Sequence, residues 1–444
     1  LVLAPLALPS QATARPIVEV AFILETTGSM GPLIEGAKRK IWSIATTIVE
    51  TNPDAEIRMG LVAYRDIGDE YVTKTFNLTT DIQDLYAQLL ELKARGGGDC
   101  PESVNEALHV GVTKLAWTQD PEVRRIMFLV GDAPPHMDYA QDVKYPEVMK
   151  IARERDIIVN AVQAGGARDT ERVWREIAQM GRGRYIPIPQ DGGHLVIIET
   201  PFDIEIIELQ GRINSTVIPY GPKMQRSSVE QKTRQVAAAP VSTASEMAGY
   251  MARNAKRSGG TDAITGAGDL VSDVTNGRQK LSGVKDDDLP DNLRNLSTEA
   301  RQALIDKQLA ERKALNEKMA ALVKKRDAYV VEKRNNAPKA PADSFDRAID
   351  LRITRLRRKI EADPSHPTTI RTVRGWGTCS CRAGEGGSSV PEQPPEPRHP
   401  IHRPHLPRRV PRQHLVARGH RHAQIALQPF DQTRRADSCT AHET

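Results

Sequence analysis

Apolar runs alternate with helical patterns over residues 17 to about 220. The run from Ile17 to Leu24 is apolar at nearly every position, which is typical of a parallel strand buried on both faces. Gly31 and Pro32 then open a helical segment, whose apolar residues from Leu33 to Ile48 recur near every 3.6 positions. Further strands are predicted at 57–64, 72–76, 125–130, 157–162 and 185–188, and further helices at 82–93, 102–114, 145–153, 170–180 and 202–213. The alternation predicts an α/β domain with a doubly wound, mostly parallel sheet flanked by helices.

The pattern changes after residue 220. Residues 225–295 are polar and weakly periodic, which predicts a polar linker region. Residues 297–360 are highly charged and predict a helical hairpin: Ser297 caps a first helix that ends near Lys333, and a second helix begins at Asp343 or Ser344. This hairpin is expected to pair with itself, to form a homodimer, or to dock on the first domain. Its heptads are too few to predict a coiled coil.

Composition excludes several classes of protein. In 444 residues no apolar run approaches the roughly 20 residues that a membrane-spanning helix needs. The net charge of +5, from 62 basic and 57 acidic residues, is too diluted over this length to favour a nucleic-acid partner. Four cysteines exclude a small domain held together by disulfides. We therefore expect neither a transmembrane segment nor nucleic-acid binding.

The first residues predict export. Residues 1–8 form a short apolar run, and the sequence Ala12-Thr13-Ala14 follows it. An apolar run that ends in this small-residue pattern is typical of the second half of a secretory signal, cleaved after Ala14. The alternatives are a disordered leader and a first strand. The pattern predicts a periplasmic, cell-surface or secreted protein.

The last 70 residues have an unusual composition. Residues 375–444 contain ten arginines and no lysine, and the last lysine of the chain is Lys359. A basic, histidine-rich tail that binds metals or polyanions is one interpretation, and a disordered segment is another. DNA rich in G and C, translated in a shifted frame, accounts best for the abrupt change from lysine to arginine. We therefore assign no metal site to the cysteines of this segment.

Three loops of the first domain carry candidate ligands: the first and third follow predicted strands, and the second leads into a predicted helix. They have the sequences Glu25-Thr26-Thr27-Gly28-Ser29, Gly96-Gly97-Gly98-Asp99-Cys100-Pro101-Glu102 and Gly131-Asp132-Ala133-Pro134-Pro135-His136. The carboxyl ends of parallel strands meet at one edge of a sheet, so the three loops are expected to converge. Hydroxyl and carboxylate oxygens suit hard divalent cations such as Mg²⁺.

These three stretches resemble the von Willebrand factor type A domain and its metal-ion-dependent adhesion site. The resemblance covers about residues 17–220 and is greatest to a bacterial exported subgroup. It implies a divalent-cation site, for Mg²⁺ or else Ca²⁺ or Mn²⁺, that binds a carboxylate supplied by a protein partner. The family positions correspond to Glu25, Thr27, Ser29, Cys100 and Asp132. In the family the two hydroxyls bind the metal directly, and the two acids act largely through water.

Two of these positions depart from the family pattern. Glu25 replaces an aspartate, and its additional methylene moves the carboxylate by roughly 1 Å, which disturbs a near-octahedral site. Cys100 replaces a threonine, and a thiol is a poor ligand for Mg²⁺ or Ca²⁺. The sequence therefore predicts weak cation binding.

The predicted function is a non-catalytic module that binds a protein through a divalent cation. The alternative is a metal-independent scaffold with a vestigial site, in which the helical region makes the contacts. A hydrolase built on Cys100 and His136 is a third, less favoured hypothesis, because the sequence offers no third group to orient the histidine.

Overall fold

A single sheet forms the centre of the first domain. The computed structural model describes residues 16–51, 55–98, 100–190 and 198–336. Within these ranges the strands are β1 (Ile17–Glu25), β2 (Glu56–Tyr64), β3 (Thr73–Thr79), β4 (Arg124–Gly131), β5 (Ile157–Ala164) and β6 (Arg182–Ile188). Their order in the sheet is β3-β2-β1-β4-β5-β6. The pairings are parallel except that β3 runs antiparallel to β2, so the predicted doubly wound, mostly parallel sheet is confirmed.

Helices cover both faces of this sheet. They are α1 (Gly31–Thr51), α2 (Ile82–Glu91), α3 (Val104–Thr113), α4 (Tyr145–Glu154) and α5 (Arg168–Met180). The side chains of α1 and α2 share one apolar core with Val18 and Val20 of β1, and those of α3, α4 and α5 share the other with Ala21 and Ile23. A central strand buried on both sides has no polar face, which is why β1 is an almost continuous apolar run.

A helical region follows the sheet domain. Its elements are α6 (Asp203–Asn214), α7 (Lys223–Ala238), α8 (Val241–Arg257), α9 (Leu270–Thr275), α10 (Asp291–Arg294) and α11 (Thr298–Asn336). The prediction of a polar linker at 225–295 was therefore wrong. Met247, Tyr250 and Met251 of α8 join the core on the α1 side of the sheet, and the ring of Tyr250 lies 5.4 Å from that of Trp42.

The long helix α11 packs along this helical region. Leu315, Met319, Leu322 and Val323 form an apolar cluster with residues of α6 and α8. The first predicted helix of the charged region is thus confirmed, and it docks on the helices that precede it. The predicted second helix of the hairpin lies outside the described residues.

Two further predictions also fall outside the described residues. They are the secretory signal at 1–14 and the tail at 375–444. None of the helices in the described ranges combines the length and the apolar composition that crossing a membrane requires.

Candidate functional site

The first and third predicted loops lie at the carboxyl ends of β1 and β4, and the second, between α2 and α3, contacts the first where the Gly28 N–H donates to the Gly96 carbonyl at 3.1 Å. Strand β1 pairs with β2 on one side and with β4 on the other. The chain leaves β1 towards β2 and β3, and later returns to the other side of β1 as β4. Loops that leave β1 and β4 therefore diverge in opposite directions, which opens the crevice where α/β sheets bind their ligands.

The first loop brings an acid and two hydroxyls together. Glu25 is fully buried at the end of β1, and Thr27 is 1% exposed. The Thr27 hydroxyl donates to Oε1 of Glu25 over 2.5 Å and lies 3.2 Å from Oγ of Ser29, which is exposed. The added methylene of Glu25 is accommodated, because its Oε2 reaches the backbone N–H of Asp132 at 3.0 Å. The first and third loops are thereby joined through Glu25.

The third loop contributes Asp132 and depends on the glycine before it. A Cβ at Gly131 would stand 2.4 Å from Oε2 of Glu25 and 2.5 Å from the hydroxyl of Tyr64. Only a residue without a side chain leaves room for these two groups. The Asp132 carboxylate accepts a hydrogen bond from Gln190 Nε2, and its backbone carbonyl accepts one from the Thr170 hydroxyl at 3.1 Å.

The residues of the second loop depart most from the predicted site. Cys100 is half-buried and disulfide-bonded, so it offers neither a thiolate ligand nor a nucleophile. The carboxylate of Glu102, two residues later, is 3% exposed and faces the first loop. The backbone of Glu102 is fixed to the third loop, because its N–H donates to the carbonyl of Pro134 at 2.9 Å and its carbonyl accepts from His136 N–H at 3.1 Å. Sequence reasoning missed Glu102 as a site residue, although it belongs to the glycine-rich motif before α3.

The buried acids raise one another's pKa values. Burial, and then the charge of Asp132, hold the pKa of Glu25 well above its usual range. Burial raises the pKa of Glu102 to about 10, with a further increase from Glu25, Asp66, Asp69 and Asp132. Burial also raises the pKa of Tyr64, and the charge of Glu25 adds to that effect. With a pKa of about 10, Glu102 is protonated and uncharged at neutral pH in the cation-free protein.

A hydrogen-bonded cluster lies beside these acids. Asp66 accepts the hydroxyl hydrogen of Ser103 at 2.8 Å and that of Tyr139 at 2.7 Å. The His136 ring stacks on the Tyr139 ring with centroids 4.0 Å apart, and its Nε2 lies 3.5 Å from the Asp66 carboxylate. Through Ser103 and Tyr139, Asp66 therefore joins the loop after β2 to the second and third loops.

The fold and this crevice agree with one class of protein. Residues 19–199 match the family model described as the von Willebrand factor A domain. This part of the chain is a von Willebrand factor A domain, as the sequence motifs predicted. Such domains serve generally as protein-interaction modules, and many of them bind a divalent metal at the crevice.

Curated relatives share only part of their length with this chain. A putative ariadne-like RING finger protein of Acanthamoeba polyphaga mimivirus is 24% identical over 238 residues, which are 48% of this chain and 23% of the relative. The alpha-protein kinase vwkA of Dictyostelium discoideum is 27% identical over 124 residues, or 28% of this chain and 19% of the relative. The chain therefore spans about a fifth of the length of these relatives.

Solved structures resemble part of this chain. The crystal structure of the SpRpn10 VWA domain is 12% identical, with a TM-score of 0.31, over 40% of this chain and 89% of that chain. At this TM-score the likeness supports no further conclusion.

A second family model matches near the charged region. Residues 335–378 match the model described as transcriptional regulatory protein, C terminal. Apart from Asn335 and Asn336, these residues lie outside the described part of the chain. The sequence analysis gave no indication of this match.

Proposed function

We propose that the von Willebrand factor A domain of this chain is a non-catalytic module that binds a protein partner through a divalent cation. The observation that carries the proposal is the convergence of Glu25, Thr27, Ser29 and Asp132 at the switch point of the sheet. Four of the five predicted positions thus belong to one connected group. Cys100 is not needed for it.

The donor set fits a hard cation such as Mg²⁺, Ca²⁺ or Mn²⁺. Thr27 and Ser29 would hold the ion through their hydroxyls, and Glu25 and Asp132 would act through water. Within the described ranges, no three His, Cys, Asp and Glu side chains are grouped to hold a metal ion. When bound, the ion supplies positive charge to a carboxylate of the partner.

The neighbouring side chains support a binding role rather than catalysis. Ser103 donates to Asp66, Cys100 is disulfide-bonded, and His136 stacks on Tyr139. These groups stabilise the loops that surround the crevice.

One observation favours a metal-independent scaffold instead. Thr27, Tyr64 and the backbone N–H of Asp132 all contact the Glu25 carboxylate, so hydrogen bonds within the protein satisfy this acid without an ion. In that alternative the site is vestigial, and the helical region binds the partner or a second copy of the chain. Sedimentation of the purified protein would detect the homodimer.

Calorimetric titration with Mg²⁺ and Mn²⁺ separates the two candidates. Asp132→Ala is expected to abolish cation binding because it removes the acid on the β4 side. Asp138→Ala is the matched control, since Asp138 lies in the same loop with its side chain 75% exposed. A partner captured from native extracts should be released by EDTA. Retention of that partner in EDTA, by the parent and by Asp132→Ala alike, would favour the scaffold.

Export remains a prediction from the first 14 residues. We propose that the mature chain begins near Arg15, on the basis of the apolar run and the Ala12-Thr13-Ala14 pattern. Sequencing the N-terminus of protein from the native host tests this. Cytoplasmic protein that retains residues 1–14 would contradict it.

A further inference from the structure

The Glu102 side chain lies against the proposed cation site. A Cβ built on Gly97 would stand 3.3 Å from Cβ of Thr27 and 3.4 Å from Oε1 of Glu102, so both side chains lie next to Gly97. Gly97 adopts φ +85°, a conformation that favours glycine and that lets the second loop pass this close to the first. The position of Glu102 is therefore fixed by the backbone conformation of Gly97 and by the backbone hydrogen bonds of Glu102 with the third loop.

The Glu102 carboxylate lacks the partners that a structural acid has. It is 3% exposed, and its Oε2 is buried without a hydrogen-bond partner among the described residues. The charges that act on it come from other acids, Glu25 and Asp132 among them. A buried acid in such surroundings destabilises the protein unless something neutralises it. A positively charged ligand in the space beside Thr27 would do so.

We propose that Glu102 is the cation-binding residue of the second loop, in the role that the sequence assigned to Cys100. This proposal rests on the proposed function, because it adds Glu102 to the residues proposed to hold the cation. Glu102 contributes a hard oxygen, which Mg²⁺, Ca²⁺ and Mn²⁺ prefer and which the disulfide-bonded Cys100 does not offer.

Calorimetric titration of the full chain with Mn²⁺ tests this assignment. Glu102→Gln keeps the size of the side chain and removes its charge, and it is expected to weaken Mn²⁺ binding at least tenfold. Glu106→Gln is the matched control, since Glu106 lies one turn further along α3 with its side chain 36% exposed, and its Mn²⁺ affinity should equal that of the parent. Paramagnetic resonance of free Mn²⁺ provides an independent measure of the same affinities.

The possible results separate this inference from the proposed function. If Glu102→Gln binds Mn²⁺ like the parent while Asp132→Ala does not bind, the cation site stands and the role of Glu102 is refuted. If the parent does not bind Mn²⁺, the proposed function fails, and the inference fails with it. Should Glu102→Gln not fold, Glu102→Asp serves instead: a severalfold loss of affinity supports the assignment, and parental affinity overturns it.

Discussion

Two clusters of buried charge in this molecule differ in how they are neutralised. In the helical region, Arg312 is fully buried and donates to Asp269 over 2.6 Å. Further hydrogen bonds join it to the hydroxyl and carbonyl of Thr216, to the carbonyl of Thr261 and to the hydroxyl of Ser272. At the crevice of the sheet domain, Glu102 is buried to a similar degree among other acids, and one of its oxygens has no hydrogen-bond partner.

This difference in neutralisation indicates that the Arg312 cluster stabilises the fold. A buried ion pair with its hydrogen bonds satisfied keeps elements together, and Arg312 joins α11 to the segments around α9. Acids that are buried near one another reduce stability, and a fold retains them where a ligand uses their charge. Substitutions in the two clusters should therefore change stability in opposite directions.

Removal of Arg312 should have the largest effect. Arg312→Met leaves Asp269 buried without its cation, and the free energy of unfolding should fall by about 3–5 kcal/mol. Urea unfolding measured by circular dichroism gives this value. The double variant Arg312→Met with Asp269→Leu should recover much of the loss, because no uncompensated charge remains. A loss below about 1 kcal/mol for the single variant would mean that the cluster does not stabilise the fold.

Glu102→Gln should stabilise the cation-free protein. Burial raises the pKa of Glu102 from 4.5 to about 10, so the folded state holds this proton more tightly than the unfolded state. The corresponding stability is fully present below pH 4.5 and is lost as the pH rises towards 10. At 1.36 kcal/mol per pH unit, the loss at pH 7 is roughly 3 kcal/mol, which the glutamine variant avoids.

Thermal unfolding in EDTA between pH 4 and pH 8 measures the advantage of Glu102→Gln. The melting temperature of the variant should exceed that of the parent at pH 7, and the two should converge below pH 4.5. Equal melting temperatures across this range would show that the Glu102 carboxyl is hydrated or paired in solution.

Gly131→Ala should have a smaller, destabilising effect. The new methyl group would overlap Glu25 and Tyr64 at the end of β4. Overpacking of this kind costs about 1–3 kcal/mol. Gly98→Ala is the control, because a Cβ there meets no atom within 4 Å and should leave the unfolding midpoint unchanged. If both variants unfold like the parent, the crevice accommodates a side chain at Gly131.

An exposed ion pair should contribute least. Arg234 and Glu230 lie four residues apart on α7, with their side chains 72% and 56% exposed. Arg234→Ala should change the free energy of unfolding by less than about 0.5 kcal/mol, since water and salt screen such pairs. A larger loss would indicate that Arg234 takes part in packing as well as in this pair.

The sequence predicted the sheet domain because its signals are local. The apolar run of β1 and the 3.6-residue spacing of α1 identify their elements without knowledge of the partners. Segment 225–295 lacks such signals. Lys232 and Gln235 of α7 are buried, and their side-chain nitrogens donate to Asp81 and to the carbonyl of Gln83 in the sheet domain, more than 140 positions away in sequence. Polar residues whose partners are so distant resemble a linker when the sequence alone is considered.

The candidate site was predicted only in part, for a related reason. Glu25, Thr27, Ser29 and Asp132 follow the ends of adjacent strands, so topology alone brings them together. The position of Glu102 depends instead on the path of the second loop through Gly96 and Gly97, both of which have positive φ. Sequence does not specify such a path. The available signal was an acid at the end of a glycine-rich motif, directly before a helix.

The central position of β1 also has a consequence for synthesis of the chain. Among the described strands, β1 leaves the ribosome first, yet its neighbours in the sheet are β2 and β4, and β4 ends only at Gly131. At a synthesis rate of about 5–20 residues per second, one edge of this apolar strand stays unpaired for on the order of 5–20 s. An apolar strand with a free edge readily pairs with other chains. The nascent chain therefore depends on chaperones, or on rapid cover by α1, until β4 arrives.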